Sequence, residues 1–101
     1  MRGRVLEAIR QAASEFINRE SNRTSMITVT RVEMDYRGLA VEIYISVYPD
    51  KDLHAATDFL NRKRDAFKEY LKKAMKIRAI PRITFLAEPN IGKPVEEPKE
   101  A

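Results

Sequence analysis

"AVEIYISVY", residues 40–48, alternates without interruption: Val41, Ile43, Ile45 and Val47 point one way, Glu42, Tyr44, Ser46 and Tyr48 the other. A period of two marks a strand buried on one face only. Upstream, "MITVTRVEM" (26–34) is rich in β-branched residues, sets Ile27 and Val29 on one face, and changes phase around Val32. The intervening "DYRGL" has turn chemistry, with Gly38 able to take a positive φ. The two runs are therefore expected to form an antiparallel, hairpin-like pair.

On the N-terminal side, residues 4–18 space Val5, Ile9, Ala12, Ala13, Phe16 and Ile17 at three and four, which predicts a helix. The polar stretch 20–25 ends it. On the C-terminal side Pro49 closes the second strand, and Asp50 or Asp52 is placed to cap a helix from Leu53 to about Ile77. That span is long for so small a domain, so a break is expected near Asn61–Arg64. Pro81 then leads into a third strand, "RITFLA" (82–87), with Ile83 and Phe85 on one side. The order α-β-β-α-α-β predicts an α+β fold, a two-layer sandwich of one three-stranded mixed sheet with helices on its apolar face. Residues 1–88 are expected to form the domain. Residues 89–101, "PNIGKPVEEPKEA", carry three prolines and no hydrophobic period, and are expected to be a disordered tail.

The 101 residues suffice for one modest core. They include no cysteine, which excludes disulfides and thiolate chemistry and fits the reducing cytoplasm. The N-terminus has no apolar run of signal-peptide type, and no stretch approaches membrane-spanning length. His54, the one histidine, stands at a helix start among Asp50, Asp52 and Asp58, where exposure is the ordinary outcome. Glu33, Asp35 and Glu42 read as solvated charges of the hairpin rather than a hydrolytic pair. Three glycines, Gly3, Gly38 and Gly92, are too far apart for a phosphate-cradling or GxxG loop. Nothing points to an enzyme, a metal, a cofactor or a small-molecule substrate.

One segment departs from the average. Residues 61–82 hold nine cations and two anions, although the whole chain has a formal net charge of only +4. Taking about 100° per residue, Ala66, Phe67, Tyr70, Leu71, Ala74 and Ile77 fall on one arc and are expected to face the core. Arg64, Lys68, Lys72 and Lys76 form an i, i+4 row on the other side, and Glu69 can pair with Lys73. A solvated face ordinarily mixes signs. A like-charged ridge gains when it meets phosphates, through counterion release. Arg62, Lys63, Arg64, Lys68, Lys72, Lys76 and Arg78 are accordingly the candidate RNA-binding residues. Arg78 has the rival role of satisfying helix-end carbonyls. Tyr44 and Tyr48 can either stack on unpaired bases or cover the second face of the sheet.

The order of elements and three local patterns resemble the ribosome-binding factor A family: "RVLEAI" (4–9), "ITVTRVEM" (27–34) followed by "LAVEIYISV" (39–47), and "KIRAIPRITF" (76–85). The last is the most specific, with Lys76, Ile77, Arg78, Pro81, Ile83 and Phe85 matching the family's helix-to-strand junction. The resemblance implies a type II KH-like fold without a GxxG loop. It also implies a non-catalytic factor that binds the small (30S) ribosomal subunit and its 16S rRNA, supports 5′-end processing, and serves growth in the cold. In that family the two later helices meet at a kink, usually Ala-x-Gly; this sequence has Lys63-Arg64-Asp65 there. The partners so implied are the small subunit and 16S rRNA, with no membrane, for a protein that is monomeric when free. The alternative is a protein-interaction module that docks a partner strand at its sheet edge.

Overall fold

A computed structural model of the chain describes residues 2–21, 26–76 and 79–88. The central hairpin stands where the alternation placed it. Strand β1, Met26–Met34, pairs antiparallel with β2, Ala40–Tyr48, in a register from Met26 opposite Tyr48 to Met34 opposite Val41. The register shifts between Val29 and Arg31, so Thr30 is an extra residue on β1. Such a bulge keeps Ile27, Val29, Val32 and Met34 on one face although the sequence loses phase there. At the turn, the Leu39 and Ala40 amides donate to Asp35 Oδ1 at 2.7 and 3.1 Å, and the Gly38 amide to the Asp35 carbonyl at 3.0 Å. Gly38 takes φ +74°, a conformation open to it because it lacks a Cβ.

Strand β3, Arg82–Ala87, pairs parallel with β2, giving a mixed sheet in the order β1-β2-β3. Parallel neighbours need a long crossover. Here it comprises a 3-10 turn, Asp50–Asp52, helix α2, Leu53–Arg62, and helix α3, Arg64–Met75. Helix α1, Arg2–Glu20, packs with them on the same face of the sheet. The element order and the mixed sheet are as expected for the α+β fold.

The core lies between the layers. Ile9, Ala13, Phe16 and Ile17 of α1, Leu60 of α2, and Phe67 and Leu71 of α3 close over Val29, Val41, Ile43, Ile45, Ile83 and Phe85. Phe67 joins the layers: its ring lies 5.2 Å from that of Phe16 and 5.7 Å from that of Phe85. Val5, by contrast, stays exposed at the open end of α1.

Three local expectations need correction. Helix α3 ends at Met75, not near Ile77, because Lys76 turns left-handed at φ +55° and donates its amide to the Lys72 carbonyl. Ala66 and Ala74 are exposed rather than core-facing. The large Phe67, Tyr70 and Leu71 side chains set the spacing of α3 from its neighbours, and a methyl group does not span it. Asp52 stands at the N-cap of α2 without a capping hydrogen bond from its side chain. The preceding 3-10 turn instead carries the chain into the helix, its Asp52 amide bonding the Pro49 carbonyl at 3.0 Å. Ile77, Arg78 and the expected tail 89–101 lie outside the described residues.

Candidate nucleic-acid interface

The junction between α2 and α3 is built around Lys63, whose φ and ψ are −97° and 11°. Its amide donates to the carbonyls of Phe59 and Leu60, closing α2, and its own carbonyl accepts from the Phe67 amide at 2.9 Å, opening α3. Those angles lie in the bridge region, which ordinary L-residues adopt. The sequence Lys63-Arg64-Asp65 thus makes a break, at the position expected, with no glycine.

Two side chains fasten this break to the rest of the fold. Asn61 Nδ2 donates to the Phe85 carbonyl at 2.9 Å, and Asn61 Oδ1 accepts from the Phe85 amide at 2.9 Å. Phe85 lies on β3, an edge strand, so the amide of Asn61 takes the place a neighbouring strand would occupy. On the other side, Lys63 Nζ lies 3.6 Å from Glu20 Oε1 at the end of α1 and 5.7 Å from the ring centre of Phe59. At the break is an open concavity of about 370 Å³ lined by Asn61, Arg62, Arg64 and Asp65.

The seven candidate residues therefore separate. Arg62 and Arg64 are exposed and line the concavity together. Lys68 and Lys72 continue from Arg64 along α3, but the row is not straight. Each i, i+4 step turns about 40° around a helix. Lys68 is half-buried, while Arg64 and Lys72 reach solvent. Glu69 pairs with Lys72 at 3.8 Å, an i, i+3 contact in place of the expected pair with Lys73. Lys76 is exposed at the left-handed end of α3, and Lys63 turns toward α1. Arg78 lies outside the described residues, so its two rival roles have no geometry here.

The uncovered face of the sheet carries a polar cluster that sequence reasoning missed. The Arg31 guanidinium sits 4.0 Å from the centre of the Tyr44 ring. Its Nε donates to Glu88 Oε1 at 2.9 Å, as does Thr30 Oγ1, and Arg31 also pairs with Glu33. The hydrogen bond to Glu88 raises the Arg31 pKa, keeping it cationic. Tyr44 donates its hydroxyl to Glu42 at 3.0 Å, which raises the pKa of the phenol. Tyr44 is thus already stacked, whereas Tyr48 remains exposed. Glu88 is far from Thr30 and Arg31 in sequence, and only the bulge at Thr30 gave any sign of this cluster. Among the described residues, no group of His, Cys, Asp and Glu is arranged to hold a metal ion. No described helix is long and apolar enough to cross a membrane.

Against known proteins, the sequence profile of the family Ribosome-binding factor A matches residues 1–95. The chain belongs to the ribosome-binding factor A family. It is 30% identical over 91 residues to ribosome-binding factor A of Carboxydothermus hydrogenoformans, covering 87% of this chain and 73% of that protein. The crystal structure of ribosome-binding factor A from Thermus thermophilus superposes with a TM-score of 0.75 at 20% identity, covering 84% of this chain and 92% of that one. A homology model of the Thermus thermophilus factor, as fitted into the cryo-EM map of a 30S complex, superposes with a TM-score of 0.72 at 20% identity, over 82% of this chain and 90% of that one. At such identity these likenesses speak for a shared fold, with α-β-β-α-α-β order and a three-stranded mixed sheet.

Proposed function

We propose that the chain is a non-catalytic assembly factor that binds the immature small ribosomal subunit, meeting phosphates of 16S rRNA with the cations of the helix break and α3. One observation carries this reading: Arg62 and Arg64 lie exposed beside one concavity, and Lys68 and Lys72 extend the same cationic surface along α3. Family membership supports it, and so does the fit of a Thermus relative of the same fold into a 30S complex. The surface suits recognition of phosphate positions and RNA shape rather than base sequence. The fold takes the role of a type II KH-like domain over residues 1–88, using cationic side chains where a GxxG loop would use backbone amides. The same reading makes the protein a cytoplasmic monomer that supports 5′-end processing of the rRNA and growth in the cold. The rival reading, strand addition at the sheet edge, is disfavoured at β3, where an incoming strand would have to displace Asn61 from Phe85.

The test is co-sedimentation with free 30S subunits, 50S subunits and whole ribosomes across a salt series. Selective, salt-sensitive retention on free 30S subunits is expected. Arg64→Glu, Lys68→Glu and Lys72→Glu together should abolish it while the circular dichroism spectrum stays unchanged. Equal retention on all particles, or undiminished binding by the triple variant at physiological salt, would refute the assignment.

A further inference from the structure

We infer that the concavity at the break seats one phosphate of the RNA backbone between the Arg62 and Arg64 side chains, and that Lys63, the cation between them in sequence, positions this site without touching RNA. The inference rests on the proposed RNA-binding function and divides the labour within it.

The argument begins with where the three adjacent cations go. Arg62 ends α2 and Arg64 begins α3, and both line the same concavity. Guanidinium groups present planar, forked donors that match phosphate oxygens. In a regular helix, residues two apart point in widely different directions, about 200° around the axis. The interruption at Lys63 is what lets Arg62 and Arg64 share one cavity. Lys63 itself points elsewhere, with its ammonium 3.6 Å from Glu20 on α1 and near the face of Phe59. Asn61, on the opposite side, is bonded to β3 at both ends of its amide. The break is thus tied to α1 through one residue and to the sheet through another, and the two arginines line the concavity beside it.

Asp65 is the fourth lining residue, and its carboxylate opposes an incoming anion. Two arginines against one aspartate leave the lining cationic, so Asp65 weakens the site without reversing its sign. Asp65→Asn is therefore expected to tighten binding.

The inference is tested by measuring the affinity of the full chain for 30S subunits at several salt concentrations, for wild type, Arg62→Ala, Arg64→Ala, Lys63→Ala, Glu20→Gln and Asp65→Asn. Each phosphate contact contributes roughly 0.7–0.9 to the slope of log affinity against log salt. Arg62→Ala and Arg64→Ala should each weaken binding about five- to tenfold and flatten that slope. Lys63→Ala and Glu20→Gln should both weaken binding, by about two- to fivefold, with the slope kept, because each breaks the same tie. A lysine that touched RNA would behave in the opposite way: Lys63→Ala would flatten the slope, and Glu20→Gln, by freeing its ammonium, would tighten binding. That pattern, or unchanged binding by both arginine variants, overturns the inference while leaving the family function standing. Failure of the wild-type chain to bind 30S subunits would remove the function itself and the inference with it. Circular dichroism of each variant separates lost contacts from lost folding.

Discussion

The amide of Asn61 meets Phe85 at two points on the outer edge of β3, so its removal takes both backbone groups of Phe85 from their protein partners. Asn61→Ala should therefore lose about 1–3 kcal/mol of stability, read as a lower urea midpoint, because it removes two part-buried hydrogen bonds together. Asn61→Asp should lose at least as much, since it sets a carboxylate against the Phe85 carbonyl. A second residue makes a pH-dependent contribution. The amides of Ala40, Leu39 and Gly38 hold the Asp35 carboxyl below its ordinary pKa. A depressed carboxylate stabilises the fold above its unfolded-state pKa and loses that contribution as pH falls through the lower, folded-state value. The stability gap between wild type and Asp35→Ala should thus be full near neutrality and close progressively below about pH 4. The two residues differed in legibility. The turn around Asp35 was announced by Gly38 and the strands flanking it. Asn61 gave no local sign, because its partner lies 24 residues away and a polar residue on a helix needs none.

Strands were more legible than helix ends, for a reason found in the elements themselves. Alternation such as that of residues 40–48 reports a buried face directly, and the strand limits follow from where it stops. A helix pattern fades instead of stopping: apolar residues continue to Ile77, while the helix ends at Met75 through the left-handed Lys76. No glycine marks that end, so the sequence concealed it. Left-handed backbone costs a non-glycine residue about 1 kcal/mol, and Lys76→Gly should raise stability by about that amount in thermal unfolding. The same variant should weaken binding to 30S subunits, so stability and affinity would move in opposite directions. The cationic face was legible as composition but not as geometry. An i, i+4 row on the side away from the core was expected, whereas Lys68 is half-buried and the Lys63 ammonium, still partly open to solvent, pairs with Glu20 on α1.

Across the whole molecule, Phe67 is the side chain on which both layers converge, through Phe16 of α1 and Phe85 of β3. Phe67→Ala should cost about 3–5 kcal/mol. Since a domain of this kind has about 5–15 kcal/mol in total, chemical denaturation should find the variant near the edge of folding, with all of its tertiary signal lost in one transition. The α+β arrangement was legible because element order constrains it strongly. The parallel pairing of β2 with β3 has a further consequence, one of timing. The β1–β2 hairpin closes through a short local turn, but Ala40 can meet Arg82 only after the whole crossover has been made and folded back. Contacts between distant residues form late because closing the longer loop costs more chain entropy. Pulse-labelled hydrogen exchange should therefore protect the amides of β1 and β2 before that of Phe85. Asn61 cannot engage Phe85 until β3 arrives, so the cavity at the helix break is among the last features to be completed. A chain still emerging from the ribosome that makes it would carry the same arginines without the geometry that gathers them, and would not yet hold the cavity proposed to seat a phosphate.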